Sequence, residues 1–264
     1  MLVSTAYSPN QEMLERAEHF AQHFNAHYLE RGKDSLATLF KRAETAHFTD
    51  ERLLIITKVG LKLYYYTNLT KPFYFHPSMG LVRINRLQKG ADDPLVKLAQ
   101  LKAGDSFLDC TLGIGADALV AAYAVGQTGK VVAIESDFAI ATLVDNSLRH
   151  GYNIPVDIFL NLAQIKVIHK DNALLLRELP ANNFDVVYFD PMFLPPVDKS
   201  VSAINPLLYF ADYRKLEPET VIEAIRIARR MVILKADRKS PEFKRLGFKE
   251  QLRSANFSYG TIMK

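Results

Sequence analysis

The chain has 264 residues, 48% of them hydrophobic and 23% charged, with one cysteine and a formal net charge of +4. That length and balance suit one large α/β domain with a smaller appendage, and exclude a disordered chain, a disulfide-stapled mini-protein and any multi-cysteine zinc site. No apolar run approaches the roughly 18 residues of a membrane helix, and the first residues lack a basic and then apolar leader, so a reducing cytoplasm is the expected location.

Residues 10–24 place Met13, Ala17, Phe20, Ala21 and Phe24 on one face at helical spacing, which predicts an amphipathic helix. His19, His23 and His27 recur every four residues. No carboxylate-rich partner motif accompanies them, so a polar helix flank is expected and no metal site. A second short helix, opened by Asp34 as N-cap, precedes β-rich runs at Leu53–Thr57 and Leu61–Tyr66 that Val59-Gly60 separates. Strand alternation leaves Tyr64 and Tyr66 as the aromatic pair open to a partner. Residues 71–90, rich in Pro, His, Gly and basic side chains, read as a loop, and Asp92-Asp93-Pro94 starts a helix. The expected domains are a small α+β N-terminal domain over 1–88, a candidate RNA binder, and a larger one over 89–264.

Strand-like runs then recur at Ser106–Cys110, Val131–Glu135, Ile165–His169, Val186–Asp190 and Met231–Lys235. Helical stretches lie between them at Asp117–Val125, Phe138–His150, Ala173–Leu179 and Pro218–Arg230. Such alternation predicts a doubly wound, mostly parallel sheet whose ligands gather at the carboxyl ends of the strands. Residues 248–253 and 257–263 supply a terminal antiparallel hairpin.

Charge is uneven along the chain. Residues 1–90 carry 12 Lys/Arg against 8 Asp/Glu, residues 91–225 carry 10 against 18, and residues 226–253 are basic again. Two basic flanks around an acidic centre suit a surface that receives a polyanion, with Arg83, Arg86 and Lys89 as candidate contacts.

The chemistry sits at the predicted strand ends. In FLDCTLGIGADAL a buried strand ends at Asp109, and Gly113-Ile114-Gly115 lets a ligand approach the backbone before a helix begins. The third glycine of the dinucleotide fingerprint is missing, which counts against NAD. Glu135 ends the second strand where a carboxylate can accept both hydroxyls of a ribose, and Asp171-Asn172 ends the third with groups suited to an adenine edge. At the fourth, Asp190-Pro191-Met192-Phe193 presents a carboxylate, a proline-fixed turn and an aromatic ring.

This series resembles the class I S-adenosylmethionine-dependent methyltransferases, and Asp-Pro-Met-Phe is similar to the motif with which that superfamily methylates exocyclic amino nitrogens. With the HPSMGLVRINRLQKG stretch, it resembles more narrowly the RsmJ family, which acts on guanine N2 of small-subunit ribosomal RNA. The resemblance implies a Rossmann-like class I methyltransferase fold, S-adenosyl-L-methionine as cofactor and S-adenosyl-L-homocysteine as product. It implies cofactor contacts from Ala116, Asp117, Glu135, Ser136, Asp171, Asn172 and Asp190, to which the first strand and its glycine loop add Asp109, Thr111, Gly113 and Gly115; Asp190, Pro191 and Phe193 are the expected catalytic residues. The implied partner is ribosomal RNA or the small ribosomal subunit, with no metal and no membrane. Ala116, Asp171 and Leu194 depart from that family, which tends to carry arginine, serine and proline there. Methylation of a small molecule or a protein on the same fold, and a non-catalytic RNA-binding accessory, are the alternatives.

Overall fold

The computed structural model describes residues 1–162, 165–191, 214–253 and 257–264. The chain passes from one compact unit to a second between Phe75 and His76.

The first unit contains β1 (Leu2–Thr5), α1 (Gln11–His23), β2 (His27–Tyr28), α2 (Leu36–Thr45), β3 (Arg52–Thr57), β4 (Gly60–Tyr65) and β5 (Asn68–Phe73). Its sheet runs β2-β1-β3-β4-β5. Strand β1 is parallel to both β2 and β3, and β3-β4-β5 is an antiparallel meander. Helix α1 buries Met13, Ala17, Phe20 and Ala21, and the Asn10 side chain caps it by accepting the Met13 N–H at 3.0 Å. Ser35, one residue after the expected Asp34, caps α2 by accepting the Thr38 N–H. Leu39, Phe40 and Ala43 of α2 join Leu2, Leu53 and Ile55 in a core against which Tyr64 also packs. Of the two tyrosines expected at the surface, Tyr66 is exposed and Tyr64 supports the core. Pro72 lies in β5, where an edge strand tolerates the missing N–H.

The second unit begins with α3 (Ser78–Gln88), so the segment read as a loop is largely helix. Gly80 explains the packing: a Cβ there would come within 3.2 Å of Leu119 and 3.3 Å of the Ala116 carbonyl, so the glycine admits the next helices closely. The expected domain boundary near 88 therefore falls at the end of α3. Next come α4 (Pro94–Ala99), β6 (Ser106–Asp109), α5 (Ala116–Val125), β7 (Lys130–Glu135), α6 (Phe138–His150), α7 (Val156–Leu162), β8 (Ile165–His169), α8 (Asn172–Glu178) and β9 (Phe184–Phe189). After residue 214 follow α9 (Pro218–Ile227), β10 (Ala228–Asp237), α10 (Glu242–Arg245), β11 (Lys249–Arg253) and β12 (Phe257–Met263).

The sheet is ordered β11-β12-β10-β9-β6-β7-β8. Only β12 opposes its neighbours: β10 and β11 both pair with it antiparallel, and the remaining pairs are parallel. The fold is thus the Rossmann-like α/β methyltransferase class with its terminal antiparallel pair. Successive strands move outward from β6 to β7 and β8, then return to β9 and β10. Right-handed crossovers therefore put α5 and α6 on one face and α8 and α9 on the other. On the second face Leu175, Leu176, Val221, Ala224, Ile227 and Phe243 pack on Val187, Phe189, Val232 and Leu234. The order reverses between β6 and β9, and such a point opens a crevice at the carboxyl ends of the strands. Helix α9 stops at Ile227, short of the expected Arg230, because Ala228 already pairs with Phe184 in the sheet.

Candidate active site

Strand β6 delivers Asp109 to the switch point at 1% exposure, where its Oδ1 accepts the Thr111 N–H at 3.0 Å. Burial pushes the Asp109 carboxyl up to about 8, and Asp117 and Asp190 push in the same direction. The following loop turns on Gly113 (φ 50°) and Gly115 (φ 77°), left-handed values that glycine adopts without penalty. Gly115 is also the N-cap of α5 and offers no side-chain cap, so the first amides of that helix can serve an anionic group.

Glu135, at the end of β7, grips this loop. Its Oε2 accepts the Gly113 N–H at 3.0 Å and its Oε1 accepts the Asp137 N–H at 2.9 Å. Burial raises its pKa despite these donors. A carboxylate offers about four lone-pair sites, so a ribose hydroxyl can share it with these donors. Ser136 follows directly, its hydroxyl 3.5 Å from Glu135 Oε1. Asp171 caps α8 by accepting the Leu174 N–H at 3.2 Å and pairs with Arg214 at 2.8 Å. Asn172 turns inward instead, its Nδ2 donating to the Cys110 carbonyl at 3.0 Å, which ties the ends of β8 and β6 together.

The turn after β9 is fixed from across the crevice: the Asp190 N–H donates to Thr111 Oγ1 at 2.7 Å. Asp190 Oδ2 accepts from Lys235 Nζ at 2.7 Å, and the same ammonium reaches Asp117 Oδ2 at 3.2 Å. Asp117, in the first turn of α5, also accepts from the Tyr188 hydroxyl at 2.9 Å and pairs with Arg83. Arg83 in turn holds Asp93 through two hydrogen bonds of 2.7 and 3.0 Å. Asp93 caps α4 by accepting the Leu95 and Val96 amides. A chain of alternating charge thus runs from the start of α4, through α3 and α5, to the ends of β9 and β10. Lys235 and Arg83 hold Asp117 below the usual carboxylate range against the effect of burial. Burial wins at Asp190, raised to about 6, because Asp117 opposes the attraction of Lys235.

The structure therefore gathers Asp109, Thr111, Gly113, Gly115, Glu135, Asn172 and Asp190 at one sheet edge, with Pro191 following Asp190 in a half-buried position. Ala116 opens α5 in a half-buried position. Asp117 lies beneath that rim, 8% exposed and committed to its three partners. Phe193 lies outside the described residues. Sequence reasoning missed Lys235, Tyr188 and Arg83. A lysine ending the apolar run MVILK and a tyrosine two residues before Asp190 were the available signals. Arg83 was read as a candidate polyanion contact, and instead it is consumed in a largely buried ion pair.

The donor set suits a nucleoside that carries an amino acid: a diol acceptor at Glu135, a bare glycine turn, and uncapped amides at α5. The chain matches the model of a family described as "Putative SAM-dependent methyltransferase" over residues 40–247. It is 37% identical over 262 residues to "Uncharacterized protein YpiP" of Bacillus subtilis, which covers 99% of this chain and 98% of that one. It is 34% identical over 123 residues to ribosomal RNA small subunit methyltransferase J of Laribacter hongkongensis, spanning 46% of this chain and only 42% of that protein. A crystal structure of a SAM-dependent methyltransferase from Neisseria gonorrhoeae shares the fold with a TM-score of 0.63 at 15% identity, covering 100% of this chain and 96% of that one.

Proposed function

This chain belongs to the S-adenosylmethionine-dependent methyltransferase family, and on that premise we propose that it methylates an exocyclic amino nitrogen in RNA, guanine N2 of small-subunit ribosomal RNA in particular. The observation that carries the reading is the placement of Asp190, held at the switch point by Thr111 through its amide and by Lys235 through its carboxylate. The partial likeness to ribosomal RNA small subunit methyltransferase J supports the choice of substrate.

When bound, the cofactor supplies a methyl group made electrophilic by its attachment to a sulfonium. Glu135 would hold the ribose hydroxyls, Asp171 and the side-chain oxygen of Asn172 would border the adenine, and the Gly113–Gly115 turn with the α5 amides would receive the amino acid portion. Thr111, Ala116 and Ser136 border the same groove. A guanine amino group is a poor nucleophile because its lone pair is delocalised into the ring. Asp190 and the Pro191 carbonyl accept its N–H groups, orient the lone pair and stabilise the positive charge that develops on nitrogen. Asp190 must be ionised to do this, and Lys235 favours that form. The surplus proton then leaves the nitrogen through the Asp190 carboxylate to water. Phe193 stacks on the extruded base in this reading. The first unit contributes RNA contacts, and the enzyme works in the cytoplasm. Among the described residues no helix is long and apolar enough to cross a membrane.

Incubation with methyl-labelled S-adenosylmethionine and, separately, ribosomal RNA, small subunits, cell protein and small metabolites tests the substrate. Label recovered as N2-methylguanosine from the RNA or the subunit is the expected result. Label confined to protein or metabolites would discard it.

A further inference from the structure

The basic residues between 226 and 245 separate into two groups when their partners are traced. Arg226 pairs with Glu223 and donates to the Leu176 and Leu179 carbonyls. Arg229 pairs with Asp185, and Arg230 with Asp105. These three lie at the amino end of β10, on the sheet edge away from Asp190, and they serve the fold. Lys235 is committed to Asp190 and Asp117, and Arg245 to Glu242.

Arg238, Lys239 and Lys244 differ. All three are exposed. Among the described residues none of their side chains has an ion pair or hydrogen-bond partner. Their place in the fold is specific. Parallel pairing sets Leu234 of β10 opposite Phe189 of β9, which brings Lys235 beside Asp190. Arg238 and Lys239 follow as the chain leaves the same carboxyl edge, within about 10–14 Å along the strand direction. Helix α10 stays near that edge, because Phe243 packs against Gly260, whose Cα partner in the sheet is Leu234. Lys244 rides on this helix. Nearby acids do not outnumber the three cations: Glu242 is buried and neutralised by two 3.0 Å hydrogen bonds from Arg245, which leaves Asp237 and Glu250, the latter opposite Gly260 in the sheet.

We propose that Arg238, Lys239 and Lys244 form a rim that receives the phosphodiester backbone of the RNA strand whose base enters at Asp190. The inference rests on the RNA reading above and gives it a specific surface. Exposed ammonium and guanidinium groups beside a crevice bind phosphates through counterion release, which is tolerant of sequence and sensitive to salt. Base identity is then read in the crevice and register along the strand at the rim.

The test is the salt dependence of binding of small-subunit ribosomal RNA to the full-length protein. Wild type is compared with the Arg238→Ala/Lys239→Ala/Lys244→Ala variant and with Lys102→Ala, an exposed lysine before β6 at the opposite edge. The slope of log K against log salt should flatten by about 2 to 3 in the triple variant, from 0.7–0.9 per phosphate lost. Affinity at low salt should fall at least about tenfold. Cofactor affinity, and every property of Lys102→Ala, should stay at wild type. A triple variant with the wild-type slope, from an enzyme that does methylate RNA, would overturn the rim and leave the substrate reading standing. A wild-type protein that neither binds nor methylates RNA would overturn both.

Discussion

Lys235 Nζ stands 2.7 Å from Asp190 Oδ2 and 3.2 Å from Asp117 Oδ2, one cation shared by two carboxylates. Asp190 therefore owes its charge to Lys235: burial and Asp117 favour the protonated acid, Lys235 and Arg83 the anion, and the balance lies at about 6. Because the ionised form is the one that accepts the target N–H, methyl transfer should fall as pH drops through about 6. Lys235→Met keeps most of the packing and removes the charge, so the falling limb should move to higher pH, whereas Asp190→Asn should abolish it. An unchanged midpoint in pH–rate profiles of Lys235→Met would show that the lysine is only a structural support.

Arg83 bridges Asp93 and Asp117 with its side chain 18% exposed. Removing one member of a buried pair leaves an uncompensated charge, at a cost of about 3–5 kcal/mol. Arg83→Met should therefore lower the denaturant midpoint sharply, while Arg86→Ala, at an exposed position on the same helix, should leave it within about 0.5 kcal/mol. Equal midpoints for the two variants would mean that the charged chain does not stabilise the fold.

Asp109 has a folded pKa of about 8 against an ordinary 3.8, raised chiefly by burial. A carboxyl whose pKa rises on folding binds its proton more tightly in the native state. Its contribution is present in full below about 4 and is lost as pH climbs through about 8. Asp109→Asn retains an acceptor for the Thr111 N–H and does not titrate. The Tm of wild type should decline relative to this variant between pH 5 and pH 8, and parallel curves would refute the assignment.

Glu135 bonds both the Gly113 and the Asp137 amides. Glu135→Ala should weaken S-adenosylmethionine binding by about 2–4 kcal/mol through loss of two charge-assisted hydrogen bonds. Calorimetry decides it, and unchanged affinity would move the ribose elsewhere.

The strand–helix alternation from Ser106 onward was legible because buried parallel strands are continuous apolar runs, and each ends in a polar residue that the sheet then aligns. Asp109, Glu135 and Asp190 could be marked for that reason. The charged chain was not legible, because Arg83, Asp117 and Lys235 are far apart in sequence and only the crossovers bring them together. Helix α3 escaped because Pro77, His76 and Gly80 read as loop residues, although Gly80 is there for close packing against Leu119. Strand β1 escaped because Leu2–Thr5 is buried at every position and so shows no alternation. The small α+β domain was therefore read with the runs at 53–57 and 61–66 as its strands, whereas β1 also joins β2 to β3 in the same sheet.

The placement of Asp190 carries the functional reading, and single-turnover methylation with enzyme and cofactor saturating tests it most directly. Asp190→Ala removes the acceptor without touching Glu135 or the glycine turn. The rate should fall by about 10² or more, with cofactor affinity changed only a few-fold. Near wild-type turnover by Asp190→Ala would contradict the account and send the search for the nitrogen acceptor to another part of the sheet edge.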